Sequence, residues 1–365
     1  MTTTATRVFN FSAGPAVLPV PVLEQIRDEM LSLPGVGSSV LEISHRSKDF
    51  DAILEDADAR LRRVMSIPDD YEVLFLQGGG ALQNLMIPAN LITDPGQTAD
   101  YIQTGAWGKK SAGEVRHYGK LNLAFDGSES NFNRLPQQSE LSLTPNAAYV
   151  HLTSNETIQG IQFTDLPDCG DAPIVADQSS DIMCRPIDVS KYGLFYACAQ
   201  KNAGVAGLTV VVVRKDLLER SGDLPSYLSY AKHSAGGSRF NTPPSFGVYV
   251  TGLLCKWIED AGGLKEMEKL NVAKSKMIYD IVDASEGFYI PHADSVADRS
   301  IMNVVFKLQT PEQDADFVAK AADAGLTTLK GHRSVGGIRA SLYNAMPVEG
   351  VEALASFMKD YAAKA

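Results

Sequence analysis

An acidic residue and a lysine follow two apolar segments near the middle of the sequence. Residues 173–176 (PIVA) end at Asp177, and residues 194–199 (LFYACA) are followed two positions later by Lys201. A third apolar segment, 208–213 (LTVVVV), comes after a turn of small residues. We interpret all three segments as buried strands of the kind found in parallel sheets. A polar residue directly after such a strand lies at the carboxyl edge of the sheet, where open α/β sheets bind ligands.

The pairing of this acid with this lysine suits pyridoxal phosphate (PLP). The aldehyde of PLP needs a lysine amine to form a Schiff base, and its pyridinium nitrogen needs an anionic partner. We therefore predict that Lys201 and Asp177 are the catalytic residues of a PLP site. The alternative is that Asp177 caps a loop and Lys201 is a solvated charge.

Three further positions could contact such a cofactor. Residues 71–91 contain a strand, the triple glycine of QGGGALQ, and a helix. Glycines between a strand and a helix let backbone N–H groups approach a phosphate, although this pattern is neither a Walker A loop nor GxGxxG. Trp107 stands at a second strand-to-helix junction, where its ring could stack on a heteroaromatic ring or fill the core. Thr153 is again a polar residue just past an apolar run.

Two stretches near the N-terminus could contact an anion or another ligand. His45 and Arg46 precede a helix for which Ser47 is the expected N-cap. Cationic side chains beside a helix N-terminus could form an anion site, and a solvated loop is the alternative. Ser12 lies in a turn-rich opening segment and could touch a ligand, although turns of this kind often only connect elements.

A second cationic group lies near the C-terminus. His332, Arg333 and Arg339 fall within eight residues and are separated by a pair of glycines. Arginine binds carboxylate and phosphate groups through two parallel hydrogen bonds. The group suggests a site for a dianionic small molecule, whereas a single arginine would more often be structural.

The composition is that of an ordinary globular protein with an acidic balance. The chain has 365 residues, 44% hydrophobic residues and a formal net charge of −11. This charge argues against a nucleic-acid or anionic-membrane partner. The four cysteines have neither metal-site spacing nor the density of a disulfide scaffold, and the first residues lack a signal-peptide pattern. We therefore expect a reduced, cytoplasmic protein without a metal site.

The order of the predicted elements indicates an α/β fold. Strands alternate with helical stretches from 71 to 213, which predicts a mostly parallel, doubly wound sheet. Beyond Gly262-Gly263 the pattern changes to a mixture that predicts a smaller α+β domain. Its expected elements are a helix at 264–284, a strand at 301–308, a helix at 311–324 and a last helix from about 348. We expect a large domain at 15–262 and a small domain formed by 1–14 together with 263–365.

Several motifs resemble those of the phosphoserine aminotransferases, which are class-V PLP enzymes of fold type I. The matching stretches include NFSAGPA, SHRSKDF, FLQGGG, SNETIQGI, YACAQKN, FNTPPSF and GHRSVGGIRASLYNAMP, and the last two are the most specific. The resemblance covers nearly the whole chain. It implies transfer of an amino group between L-glutamate and 3-phosphohydroxypyruvate, giving O-phospho-L-serine and 2-oxoglutarate in serine biosynthesis. It also raises 4-phosphohydroxythreonine, from pyridoxine biosynthesis, as a possible second substrate.

The resemblance also implies roles for individual residues and a homodimer with shared active sites. One PLP per subunit would form a Schiff base with Lys201 and pair with Asp177, Trp107 would stack on its ring, and Thr153 would bind its phenolic oxygen. The implied phosphate contacts are Gly80, Ala81, Gln200 and, from the second subunit, Asn241 and Thr242. Arg339 would bind the substrate α-carboxylate. The distal anion would face His332 and Arg333, with His45 and Arg46 of the second subunit, and Ser12 is a further substrate contact.

One residue departs from the family pattern. Many bacterial relatives have an arginine where this chain has Ala81. A backbone contact with the cofactor survives this change, but one side-chain cation for the substrate is missing.

Two other functions remain open at this point. Another fold-type-I enzyme is one, such as a small-amino-acid:glyoxylate aminotransferase, which would not need the extra cations, or a cysteine desulfurase, which would need a cysteine on a mobile loop. A dinucleotide-binding or other non-catalytic α/β ligand-binding protein is the second.

Overall fold

The computed structural model describes residues 7–220 and 222–364. The predictions that fall on residues 1–6 and 365 lie outside this part of the chain. Strands within it are β1 Phe9–Asn10, β2 Tyr71–Leu76, β3 Thr98–Gln103, β4 Lys120–Asp126, β5 Val150–Thr153, β6 Asn155–Glu156, β7 Ile161–Gln162, β8 Ile174–Asp177, β9 Leu194–Cys198, β10 Thr209–Arg214, β11 Ile290–Pro291, β12 Asn303–Lys307, β13 Leu326–Thr327 and β14 Ile338–Ser341. Helices are α1 Val20–Glu29, α2 Lys48–Met65, α3 Gly79–Leu91, α4 Ala106–Ala112, α5 Lys215–Leu218, α6 Tyr230–Ala235, α7 Ser245–Asp260, α8 Leu264–Asp283, α9 Pro311–Asp323 and α10 Val348–Ala362.

Local sequence signals explain where the helices begin. The Ser47 hydroxyl accepts a hydrogen bond from the Phe50 N–H at 3.3 Å and so caps α2, as its sequence predicts. Thr310 and Gln313 form a capping box at α9, with a proline at the first helical position. Gly263 adopts a φ of 81° between α7 and α8, which favours glycine at this turn.

A seven-stranded sheet forms the centre of the molecule. Its strand order is β2-β10-β9-β8-β5-β3-β4. Neighbouring strands from β9 through β8, β5 and β3 to β4 are parallel. The mostly parallel sheet that the alternating pattern predicts is therefore confirmed.

The strand β10 corrects one prediction. Residues 208–213 were expected to form a strand of parallel-sheet type, but β10 runs antiparallel to both β2 and β9. The two cases look alike in sequence because β10 lies between β2 and β9 and is covered on both faces. A strand that is buried on both faces is a continuous apolar run whichever way it points.

Helices cover both faces of this sheet. On one face α2 and α7 pack against alternate residues of the strands, including Phe75 and Val210. On the other face α3 and α4 pack against the residues between them, including Leu76 and Val211. This arrangement leaves the carboxyl edge of the strands open to the small-residue turns and loops that follow them.

A separate core lies in the C-terminal part of the chain. It is built on the three-stranded sheet β11-β12-β14 and helices α9 and α10, and it includes Phe11 from the N-terminal segment. The N-terminal segment also pairs β1 with β13 in parallel. No helix within residues 7–220 and 222–364 has the length and apolar character needed to cross a membrane.

Candidate active site

The parallel strands bring the predicted catalytic residues to one edge of the sheet. Thr153 ends β5 and is paired with Asp177, which ends β8. Asp177 is in turn paired with Tyr196 of β9, and the chain leaves β9 towards Lys201. Thr153 and Asp177, which are 24 positions apart in sequence, thus meet because their strands are neighbours.

The Lys201 side chain points into this edge. Its Nζ donates a hydrogen bond to the Thr157 hydroxyl at 2.6 Å and lies 5.4 Å from the centroid of the Trp107 ring. The N-terminal segment closes over it, since a Cβ built on Gly14 would lie 3.4 Å from Lys201 Cγ. Burial lowers the pKa of the Lys201 amine, and the charge of Asp177 partly opposes this effect.

The Asp177 carboxylate is held by two neighbours. Its Oδ1 accepts a hydrogen bond from the Ser179 N–H at 2.8 Å, and its Oδ2 lies 3.2 Å from the Tyr196 hydroxyl. Burial and the charge of Asp177 raise the pKa of Tyr196 well above its usual value. Tyr196 therefore stays a neutral hydroxyl, which can donate a hydrogen bond to the Asp177 carboxylate.

Thr153 has an unused hydroxyl. Its Oγ1 is buried and has no hydrogen-bond partner in the part of the chain that the structure describes. Buried hydroxyl groups are normally paired, so an unpaired one at a ligand edge marks a place where a ligand atom can bind. The phenolic oxygen of PLP would supply such a partner.

Glu156 fixes the start of α4, where Trp107 lies. Its two carboxylate oxygens accept hydrogen bonds from the Trp107 N–H at 3.2 Å and the Gly108 N–H at 3.0 Å. Burial raises the pKa of Glu156 to about 7, although these two N–H groups oppose the rise. The Trp107 side chain itself is 38% exposed, so it is not a core residue.

The triple glycine lies where the sequence predicts it, at the start of α3. The Gly80 N–H points at Cys198 Sγ, at 2.9 Å, and Ala81 is exposed. Burial raises the pKa of the Cys198 thiol, and Asp177 adds to this effect. Cys198 lies in β9 and not on a mobile loop, so it does not fit the catalytic cysteine that a desulfurase would need.

Two of the remaining predicted phosphate contacts, Asn241 and Thr242, bond to Gln77 of the same chain, whereas the resemblance assigns them to the second subunit's site. Asn241 Nδ2 donates to Gln77 Oε1 at 2.9 Å, and Gln77 Nε2 donates to the Thr242 carbonyl at 2.9 Å. Gln77 directly precedes the triple glycine. The Gln200 carbonyl accepts a hydrogen bond from the Ala16 N–H at 2.8 Å and so connects the N-terminal segment to the turn that contains Lys201.

The C-terminal cations form one group beside Lys201. Arg339 lies on β14, and its Nη1 is 3.5 Å from the Thr157 carbonyl, at the outer limit of a hydrogen bond. Burial lowers the pKa of His332, and the nearby Arg339 and Arg333 lower it further. Arg333 is exposed and His332 is partly buried, so both can meet a ligand that enters from solvent.

The other predicted substrate contacts come from the N-terminal part of the chain. His45 and Arg46 lie in the loop before α2, and within the described ranges no side-chain hydrogen bond or ion pair joins either of them to Lys201. The Ser12 hydroxyl accepts a hydrogen bond from the Gly14 N–H at 3.3 Å, which places Ser12 two residues from the glycine that covers Lys201. Across residues 7–220 and 222–364, no group of three or more His, Cys, Asp or Glu side chains could hold a metal ion.

Two residues of this site were missed by the sequence analysis. Glu156 and Thr157 follow Thr153 in the polar run SNET, and both are almost fully buried. A run of polar residues directly after an apolar strand was the available signal. Their partners, Trp107 and Lys201, lie too far away in sequence for that signal to identify them.

The residues present fit PLP. A partly buried lysine, a fixed carboxylate, an unpaired hydroxyl and an exposed indole ring surround one space at the carboxyl edge of the sheet. The lysine would meet the aldehyde of the cofactor, and the carboxylate would meet its ring nitrogen. The unpaired hydroxyl would meet the phenolic oxygen, and the indole would meet the ring face.

Comparisons with known proteins agree with this geometry. The sequence profile described as Aminotransferase class-V matches residues 8–354. A phosphoserine aminotransferase of Rhodopirellula baltica is 52% identical over 361 residues, which cover 98% of this chain and 96% of the relative. The solved phosphoserine aminotransferase from Bacillus circulans subsp. alkalophilus is 45% identical with a TM-score of 0.95, and the match covers 98% of this chain and 99% of the other.

A third similar protein was solved with the cofactor. The PLP-bound phosphoserine aminotransferase from Trichomonas vaginalis is 38% identical with a TM-score of 0.91, over 97% of this chain and 100% of that one. The chain therefore belongs to the class-V aminotransferases, in the family of the phosphoserine aminotransferases.

Proposed function

We propose that this protein is a PLP-dependent phosphoserine aminotransferase of serine biosynthesis. It would transfer the amino group of L-glutamate to 3-phosphohydroxypyruvate, reversibly, and give O-phospho-L-serine and 2-oxoglutarate. The observation that carries the proposal is the Lys201 amine, which lies beside the Trp107 ring at the edge where Asp177 ends its strand. Family relatives that are about half identical over the full chain support the substrate assignment.

Bound PLP supplies an aldehyde that condenses with amines and a ring that accepts the electron pair of the substrate Cα–H bond. Asp177 would hold the proton on the ring nitrogen, because its carboxylate is fixed by the Ser179 N–H. Thr153 would donate its unpaired hydroxyl to the phenolic oxygen. Trp107 would hold the ring face in place.

Lys201 would do two tasks in turn. Its amine would hold the aldehyde of the cofactor before substrate arrives, and the free amine would then accept the proton of the substrate Cα. The lowered pKa of this amine favours its neutral form, which is the form that can accept a proton. Burial is therefore part of how this lysine serves as a base.

Different cations would bind the two charged ends of the substrate. Arg339 contacts the carbonyl of Thr157, whose hydroxyl contacts Lys201, and would bind the α-carboxylate that both amino acids share. His332 and Arg333, which lie near Arg339, would meet either the γ-carboxylate of glutamate or the phosphate of phosphoserine. Arginine can pair with both anions, so one site can serve both half-reactions.

Several finer points belong to the same proposal. We expect one PLP per subunit, attached to Lys201, and a homodimer in which His45, Arg46, Asn241 and Thr242 complete the partner's site. The division into domains at 15–262 and at 1–14 with 263–365 is supported by the separate C-terminal core, which includes Phe11. Use of 4-phosphohydroxythreonine and a cytoplasmic location stay predictions.

A coupled assay tests the proposed function. Purified protein is supplied with PLP, glutamate and 3-phosphohydroxypyruvate, and 2-oxoglutarate is measured. We expect near-visible absorbance that borohydride bleaches, together with turnover that needs both substrates. Protein that lacks this absorbance would support the non-catalytic alternative, and absorbance with turnover of alanine and glyoxylate only would support the glyoxylate alternative.

A further inference from the structure

Thr157 contacts Lys201 through its side chain and Arg339 through its backbone. It follows β6 and is 2% exposed. Its hydroxyl accepts a hydrogen bond from Lys201 Nζ at 2.6 Å, and its carbonyl lies 3.5 Å from Arg339 Nη1. Lys201 lies at the carboxyl edge of the seven-stranded sheet, whereas Arg339 lies on β14 of the C-terminal sheet.

We propose that Thr157 is a positioning residue, whose hydroxyl aims the Lys201 amine and whose carbonyl aims the Arg339 guanidinium. This inference rests on the proposed function, because it assigns Thr157 a part in the same reaction. A lysine side chain has four rotatable bonds, so a free amine needs a fixed partner to stay where a proton must be taken. The hydroxyl provides that partner whenever the amine is not joined to the cofactor.

The segment around Thr157 is rigid enough for this task. Asn155 Nδ2 donates to Ser180 Oγ and to Asn303 Oδ1, both at 2.8 Å. Glu156 accepts two backbone N–H groups from the start of α4. A positioning group works only if its own place is fixed by further contacts, and the two residues that precede Thr157 supply them.

The charge of the Lys201 amine is the property that this hydroxyl would tune. A hydroxyl that accepts a hydrogen bond from an amine favours the protonated form, so its loss should lower the pKa of Lys201 further. The other titratable and charged groups that act on Lys201 come from separate elements and are unchanged by a substitution at 157. They are Asp177, Cys198, Arg339 and Glu156.

The test measures Lys201 in the apoenzyme, without any need for turnover. The apo protein is treated with an acylating reagent across a range of pH, and modification of the peptide that contains Lys201 is followed by mass spectrometry. Thr157→Val keeps the shape and removes the hydroxyl, whereas Thr157→Ser keeps the hydroxyl. We expect the pH midpoint to fall by about one unit in Thr157→Val and to stay near wild type in Thr157→Ser.

A matched control removes another buried threonine hydroxyl. The Thr251 hydroxyl donates to the Ala203 carbonyl at 2.8 Å, so Thr251→Val also loses one buried hydrogen bond near the lysine turn. Its midpoint should equal that of wild type. If Thr157→Val does not fold, Thr157→Ala makes the same comparison without a branched apolar side chain. The proposal would be overturned if the pH midpoint of Thr157→Val, or of Thr157→Ala used in its place, equals that of wild type. It would also be overturned if the midpoint of Thr157→Ser shifts as far as that of Thr157→Val.

Turnover gives a second readout. Thr157→Val should lower kcat by about tenfold to a hundredfold and leave KM for glutamate within about threefold, because the carbonyl that faces Arg339 is retained. A loss confined to KM would contradict the assignment. Wild-type protein without any amino transfer would instead refute the proposed function, and the lysine titration would still decide whether the hydroxyl acts on Lys201.

Discussion

The Lys201 amine lies among groups that act on its charge in opposite directions. Burial lowers its pKa, Asp177 raises it, and Arg339 lowers it again. The amine therefore reaches its neutral form at a lower pH than an exposed lysine does, while it keeps an anion nearby. A group of this kind can attack an aldehyde and later accept a proton at the same atom.

The charge of Asp177 gives the first prediction at the residue scale. Asp177→Asn keeps the shape and the contact with the Ser179 N–H but removes the anion that would hold the ring nitrogen protonated. We expect turnover to fall by about a hundredfold or more, with a melting temperature close to that of wild type. Turnover near the wild-type value in the folded variant would mean that Asp177 only caps its loop.

The sequence allowed most of the site to be predicted residue by residue, within a clear limit. Asp177, Lys201 and Thr153 each follow an apolar strand, and strand ends are visible in the pattern of residue types. Thr157 belongs to the polar run SNET after the strand, but this run does not show which side chains Thr157 meets, because a hairpin turns back at the sheet edge. Only the fold shows that its hydroxyl meets a lysine 44 positions away.

At the scale of elements, the short helix α4 depends on a close approach between two backbone segments. A Cβ on Gly105 would lie 2.2 Å from Glu156 Cδ, so the chain can pass the buried carboxylate only where residue 105 has no side chain. The same carboxylate accepts the Trp107 and Gly108 N–H groups. The position of the Trp107 ring therefore follows from the contact between Gly105 and Glu156.

Gly105→Ala should displace the start of α4 and weaken the stacking of Trp107 on the cofactor. We expect PLP affinity, measured by titration of the near-visible absorbance, to fall roughly tenfold. Gly113→Ala is the matched control at the other end of α4, since its Cβ would make only an ordinary contact, at 3.4 Å, with the Lys110 carbonyl. Equal affinities in the two variants would show that Glu156 does not set the position of Trp107.

Elements were easier to predict than their directions. The four elements predicted after Gly262 agree with α8, β12, α9 and α10 to within two residues at each predicted end. Periodicity and capping residues carry that information along the chain. The direction of β10 depends on which strands it joins, and a run of valines buried on both faces gives no sign of it.

At the scale of the whole molecule, one helix connects two cores. Leu264 and Met267, at the start of α8, pack in the core beside the large sheet, and Ile278 and Val282, near its end, pack in the C-terminal core. The predicted boundary at Gly262-Gly263 therefore precedes the helix that joins the two parts. Arg339 reaches Lys201 from the C-terminal part, so the site needs both.

The proposed dimer gives a prediction at this scale. If Arg46 serves the partner's site, Arg46→Ala and Lys201→Ala should each be nearly inactive as pure homodimers. Mixed after reversible dissociation, they should form hybrids with one intact site and one doubly altered site. Random pairing makes half of the dimers hybrid, so activity should return to roughly a quarter of wild type per subunit.

Hybrid formation must be confirmed by mass before activity is compared. If Arg46 acted on the lysine of its own subunit, each hybrid site would carry one lesion and no activity would return. That outcome would remove His45 and Arg46 from the partner's site but would leave the roles of Lys201 and Asp177 unchanged.

The central claim is that this protein moves an amino group from glutamate to a phosphorylated keto acid through Lys201. The most direct measurement follows that nitrogen atom. Glutamate with an isotopically labelled amino nitrogen is incubated with the PLP-loaded protein and 3-phosphohydroxypyruvate, and O-phosphoserine is isolated and analysed by mass spectrometry. We predict that the phosphoserine carries the label and that Lys201→Ala forms none above background. Phosphoserine without the label, no phosphoserine from wild-type protein, or labelled phosphoserine from the Lys201→Ala variant at a comparable rate would contradict the account.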